Sequence, residues 1–470
     1  MWNWLGALTV AAATQWSTAR EVNAASQMLV NLAFSTMNRP VLAKLDIARQ
    51  KPNPIAARAI DDMMSDIRQA GYSSAGQGVW IQSHDGTVVA EHLSDEPLPA
   101  ASLTKMITSL VALERWGPKH RFLTTVSISG RRSGDTLIGN LIIQGGGDPF
   151  FVSEDGIIVG NTLNRLGIRK IKGDLIVVGR FYMNFEEETN PSANSLLTVL
   201  DSESWPDDVE ESFRGMPGNT ARPVIKITGQ VRRIPKLTDL AQLIGNQKPQ
   251  QLIRYRSLPL AKILYQMNTF SNNPMADTLA KEMGGGPIVA ARAAKIVKLP
   301  AEEIQLINGS GLGQKNRISP RAVVAAIMAL QNRAALDGFS LVDLMPMSDC
   351  YCGTIQSRNL PSGALLKTGT LSDVSALAGT IPSQKYGRVW FAVINRGDGD
   401  IGLFHRAQEN ILRTLTMQWG EVPPRQFTFG RLGWQEANRA EVIRVANKTA
   451  NPSKNQDKNQ STVIKKADLP

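Results

Sequence analysis

Between Ala364 and Trp419 three apolar runs are followed by a helical pattern. Ala364-Leu365-Leu366, the run Ser375 to Ile381 and the run Arg388 to Ile394 are parted by short turns, which predicts three consecutive antiparallel strands. The spacing from Leu403 to Trp419 predicts a covering helix. Near the other end, Ile60 to Gln69 predicts a helix, and Val79-Trp80-Ile81-Gln82 and Thr87-Val88-Val89-Ala90 flank Asp85-Gly86, a hairpin dipeptide. With the three late strands and their helix, these elements can form one antiparallel sheet sandwiched by helices, in an α+β chain whose two ends would then build one domain.

The middle of the chain is then an insertion. Strand-like runs recur at Leu123 to Ser129, Thr136 to Gln144, Gly173 to Val178, Val224 to Val231 and Gln251 to Arg256, with one helix at Ile157 to Leu166. The polar stretch Asn184 to Arg222 reads as the longest loop region. With 470 residues and 42% hydrophobic composition the chain can fill more than one core. The expected division is an N-terminal extension (1–55), a discontinuous main domain (56–121 and 251–436), an inserted β-rich domain (122–250) and a disordered basic tail (437–470).

Three short motifs carry the chemistry. The first, Ser102-Leu103-Thr104-Lys105, opens a helix whose Leu103, Met106, Ile107, Leu110 and Val111 form one buried stripe. Pro97 and Pro99 keep the preceding chain from being helical, so Ser102 falls where free N–H groups and the positive end of the helix dipole meet. Lys105 follows three residues later and shares that face. A serine needs a base to become a nucleophile, and a lysine can serve once burial or a neighbouring cation lowers its pKa. A solvated lysine after a serine N-cap is the ordinary outcome for such a pair standing alone.

The second motif is Ser271-Asn272-Asn273. It interrupts two helical patterns, Leu258 to Phe270 and Met275 to Met283, and so can turn polar side chains inward. Ser192-Ala193-Asn194, Ser357-Arg358-Asn359 and Ser453-Lys454-Asn455 also fit Ser-x-Asn but fall in polar loops or the tail, leaving Ser271 and Asn273 as the candidates. The third motif, Lys367-Thr368-Gly369, ends the first of the three late strands. Its glycine leaves room for a peptide to pair along the strand, while Lys367 and Thr368 offer a cation and a hydroxyl to a carboxylate.

These residues resemble the low-molecular-mass class C penicillin-binding proteins, in the D-alanyl-D-alanine carboxypeptidase/endopeptidase branch. Gly146-Gly147-Asp148-Pro149, Ser271-Asn272-Asn273-Pro274-Met275-Ala276-Asp277, Gly309-Ser310-Gly311-Leu312 and Lys367-Thr368-Gly369-Thr370 extend the likeness over residues 75–420. Asn272 stands where the family often has Asp, as does Asn308 before Gly-Ser-Gly-Leu. The resemblance implies a β-lactamase/transpeptidase-like fold, with Ser102 as the acylated nucleophile and Lys105 as its base. It makes Ser271 and Asn273 further catalytic residues. Lys367, Thr368, Gly369 and Thr370 would bind substrate, and the N–H groups of Ser102 and Thr370 would form the oxyanion hole. Implied substrates are peptidoglycan stem peptides, with β-lactams as inhibitors, no cofactor, no metal and a periplasmic or otherwise extracytoplasmic location. The alternatives are a β-lactamase or esterase on the same fold, or a catalytically weak wall-binding protein.

Other chemistries lack a signature. There is no Gly-x-Ser-x-Gly elbow, His-Glu-x-x-His or P-loop, and His84, His92, His120 and His405 have no evident acidic partner in the sequence. The net charge of +11 is spread along the chain, with a dense patch only around Lys454 to Lys466, so nucleic acid is not an expected partner; a solvated tail is the plain reading of that patch, and peripheral cell-wall or membrane association is its alternative. Cys350 and Cys352 are expected to be packing thiols. Leu5 to Ala13, with Ala11-x-Ala13, fits either a short signal segment or a buried helix.

Overall fold

The computed structural model describes residues 52–186, 188–245, 247–422 and 439–443. The apolar run Leu5 to Ala13 and the basic patch Lys454 to Lys466 lie outside them.

Five antiparallel strands form the central sheet, in the order Leu365–Leu371, Val374–Ser383, Gly387–Arg396, Gln77–Ser83 and Val88–His92. Strands from the two ends of the chain meet where Val79 opposes Val393 and Ile81 opposes Phe391. Side chains alternate across a strand, so each late strand feeds two cores. Leu377, Phe391 and Val393 pack with Met63, Ile67, Phe404 and Leu415 of the helices Pro54–Gln69 and Ile401–Trp419. Ala376, Ala378, Ala392 and Ile394 face Leu103, Met106, Ile107 and Leu110 of the opposite layer. Burial on both faces explains why these strands read as continuous apolar runs. The first helix begins earlier than Ile60 because Asn53 caps it, accepting from the N–H groups of Ile55 and Ala56, with Pro54 at its first position.

The insertion leaves and returns through neighbouring strands, Leu123–Ile128 and Gln250–Arg256, which pair antiparallel. They belong to a six-stranded mixed sheet in which Leu141–Gly146 and Leu175–Arg180 run parallel, joined across the helix Ser153–Arg165. The stretch expected as a loop, Asn184 to Arg222, contains the helices Thr189–Leu200 and Asp207–Arg214. Ala193, Leu196, Val199 and Leu200 lie on one face and are buried in the insertion's core, so tertiary packing outweighs the weak helix preference of the Asn, Ser and Thr residues between them. Asp207, Asp208 and Glu210 favour the positive end of the second helix.

The cysteines also differ from expectation. Cys350 and Cys352 are joined in a disulfide, their Cα atoms 5.2 Å apart. Tyr351 between them takes a left-handed φ of 46°, which turns the chain enough to bring the two sulfurs together.

Candidate active site

Ser102 sits in the single 3-10 turn Ala101–Leu103 that leads into the helix Thr104–Trp116. Ala101 holds a left-handed φ of 47°, a strained conformation for a residue with a Cβ, and the buried contacts on either side keep it there. Lys105, one turn on, is fully buried. Its amine lies 2.9 Å from Ser102 Oγ, 2.7 Å from Asn273 Oδ1 and 2.9 Å from the Ser310 carbonyl, within hydrogen-bond reach of all three. Burial lowers its pKa to about 7, against a smaller opposing pull from Asp277.

Ser271 occupies the break between the helices Leu260–Thr269 and Asn273–Met283, again with a left-handed φ, of 54°. Asn272 starts the second helix by accepting from the N–H of Met275 at 2.9 Å, a cap that Asp or Asn can provide equally. The break therefore survives the replacement noted in the sequence. Lys367 enters from the first strand of the sheet and donates to Ser271 Oγ at 2.9 Å and to the Thr368 carbonyl at 2.8 Å. Complete burial, reinforced by the Lys105 charge, pushes its pKa well down.

Thus Ser102, Lys105, Asn273, Ser271 and Lys367 come together around two hydrogen-bonded lysines. Gly369 packs against the turn that carries Ser102, where a Cβ would stand 3.0 Å from Ser102 N and from the Ala100 carbonyl. Its lack of a side chain keeps that N–H open to an oxyanion. Thr368 has its hydroxyl 2.6 Å from that of Thr354. Thr370 is exposed and opposes Ser375 in the sheet. On its outer side this strand bridges Met347 at Leu365, and its Leu366 N–H donates to the Pro346 carbonyl.

Several supporting groups carried no assigned role in the sequence. Asp277 Oδ1 accepts from Gly309 N and Ser310 N, each at 2.8 Å, and so fixes the carbonyl that holds Lys105. It lies four residues after Asn273, one turn along the same helix face, and that spacing is the signal that could have found it. Asn308 accepts from Gly311 N at 2.9 Å and donates to the Leu312 carbonyl at 2.8 Å, holding the same turn. No group of three His, Cys, Asp or Glu suited to a metal occurs among the described residues.

A serine with a buried lysine within hydrogen-bond reach, a second serine on a second lysine and an open strand beside them can support acyl transfer. Comparison with known proteins agrees. Residues 56–183 and 237–415 match the family described as D-Ala-D-Ala carboxypeptidase 3 (S13). A D-alanyl-D-alanine carboxypeptidase of Actinomadura sp. (strain R39) is 25% identical over 419 residues, covering 68% of this chain and 76% of the relative. The DacB carboxypeptidase of Haemophilus influenzae is 21% identical over 424 residues, covering 71% and 88%. Among solved structures, the predatory peptidoglycan endopeptidase Bd3459 of Bdellovibrio bacteriovorus shares the fold with a TM-score of 0.66 at 21% identity, covering 78% of this chain and 98% of that one. Two separated matching segments, together well over half of the chain, bracket both helical motifs and the Lys-Thr-Gly strand: the chain belongs to the D-Ala-D-Ala carboxypeptidase 3 (S13) family, and its enzyme class is that of a D-Ala-D-Ala carboxypeptidase.

Proposed function

We propose that Ser102 attacks the carbonyl carbon of the terminal D-Ala-D-Ala bond of a peptidoglycan stem peptide and becomes acylated. The observation that carries this reading is the 2.9 Å contact between Ser102 Oγ and a buried amine whose pKa is about 7. Neutral Lys105 takes the serine proton as the carbon–oxygen bond forms. The N–H groups of Ser102 and Thr370 hold the oxyanion. Ser271, bonded to Lys367, passes a proton to the departing nitrogen of D-alanine, and water then releases the acyl group from Ser102. Asn273 holds the Lys105 amine and the substrate amide.

Lys367 and Thr368 receive the terminal carboxylate. Burial favours a neutral Lys367, and an arriving carboxylate offsets that cost by restoring its charge. β-Lactams present a strained amide and a carboxylate in a similar arrangement, so they are expected to acylate Ser102. The substrate implies an extracytoplasmic enzyme; among the described residues no helix is long and apolar enough to cross a membrane.

The test is release of D-alanine from a pentapeptide ending in D-Ala-D-Ala, measured across pH. A base must be neutral to act, so with Lys105 at about 7 the acylation rate is expected to rise roughly a hundredfold from pH 5 to pH 8 and then level off. Absence of D-alanine release overturns the substrate assignment. A rate that falls over that interval overturns Lys105 as the base.

A further inference from the structure

The loop after the disulfide brings to the site a hydroxyl that the reaction above leaves unused. Thr368 is 7% exposed, and its Oγ1 lies 2.6 Å from Thr354 Oγ1, which is carried on the exposed edge of the loop. Several anchors fix this loop. The Cys350–Cys352 disulfide closes just before it. Asp349 accepts from Ser362 Oγ and Gly363 N, each at 2.6 Å, and Ile355 is buried in the core beneath the sheet. Gly353 has a φ of 57°, and a Cβ there would stand 2.1 Å from the Thr269 carbonyl. The loop thus rests directly on the end of the helix that leads to Ser271, and it touches both arms of the site.

A hydroxyl carries one proton and two lone pairs, whereas a carboxylate only accepts. Thr368 can give its proton to Thr354 before substrate arrives. To bind a carboxylate it must turn that proton toward the ligand, and its own oxygen then accepts a proton from Thr354. We infer that Thr354 is a positioning residue: it donates to Thr368 Oγ1 and thereby aims the Thr368 proton at the C-terminal carboxylate of the substrate. This rests on the substrate reading above. Thr354 acts through Thr368 and touches none of the reacting atoms. A side chain without a hydroxyl at position 354 leaves Thr368 to share its proton with water.

The experiment compares the full chain with its Thr354→Val and Thr354→Ser variants on two stem peptides, one ending in D-Ala-D-Ala with a free carboxylate and one ending in the carboxamide. Loss of one neutral hydrogen bond is expected to raise KM for the carboxylate peptide about three- to tenfold in Thr354→Val. Turnover of the bound carboxylate peptide and all constants for the carboxamide peptide should stay within about twofold, with Thr354→Ser restoring the wild-type preference. Equal losses on both peptides, an unchanged preference, or failure of the serine variant to rescue it overturns the positioning role. Should Thr354→Val fail to fold, judged by its thermal midpoint, Thr354→Ala serves as the second variant under the same criteria. Wild-type protein that processes neither peptide overturns the substrate reading and this inference together. Wild-type activity with an unshifted preference in the variant overturns this inference alone.

Discussion

Replacement of Ser102 by alanine is expected to abolish D-alanine release, lowering turnover on the order of 10⁵-fold, with little change in stability. The magnitude follows from the arrangement of the site. Lys105, Asn273, Ser271 and Lys367 all remain in Ser102→Ala, but the atom on which the proposed acyl bond forms is gone. What is left can bind and polarise a substrate without covalent catalysis. Residual rates within tenfold of wild type, measured on protein free of contaminating peptidase, contradict Ser102 as the nucleophile. Ser102 Oγ bonds to the Lys105 amine, so its deletion removes one of three hydrogen-bond partners of that amine and leaves the other two in place.

Replacement of Lys105 by methionine separates catalysis from stability. The methionine approximates the length of the lysine and removes its titratable amine, so acylation should slow about 10²- to 10⁴-fold, the range expected for loss of a general base. Stability should move the other way. An unfolded lysine titrates near 10.5, whereas the folded one titrates near 7, so between those values the unfolded chain binds a proton that the folded chain does not. Wild-type stability therefore falls as pH drops from about 10.5 to about 7 and the effect then levels off. The full cost is on the order of 4–5 kcal/mol at and below pH 7, partly offset by the hydrogen bonds that the amine makes. Lys105→Met should accordingly unfold at a higher temperature relative to wild type at pH 7 than at pH 10. A relative midpoint that is the same at both pH values removes the argument for a depressed Lys105.

The sheet was legible in the sequence because its strands carry apolar runs bounded by turns, and because double-sided burial leaves few polar interruptions in the central ones. The Ser102–Lys105 contact was legible for a local reason: three residues on a helix bring side chains to one face, and the apolar stripe from Leu103 to Val111 fixes which face is buried. Linking Ser271 to Lys367 over 96 positions required the resemblance, since no local period relates a helix break to a strand end. The helix Thr189–Leu200 escaped notice because its polar residues disguise four buried apolar positions. Thr354 escaped for a different reason. It lies in a short turn with no periodicity, and its relation to Thr368 exists only once Gly353 has laid the loop against Thr269 and the disulfide has closed beside it. The cysteines were misread because spacing alone does not reveal the left-handed turn at Tyr351 that lets them meet.

The central claim is a covalent intermediate on one serine, and its most direct test is the intact mass of the protein after brief exposure to benzylpenicillin, followed by mapping of the modified peptide. The account predicts a gain of one penicilloyl group on the peptide that contains Ser102, and no gain in Ser102→Ala. An adduct on a different residue, or an unmodified wild-type protein under conditions in which it releases D-alanine, would contradict it.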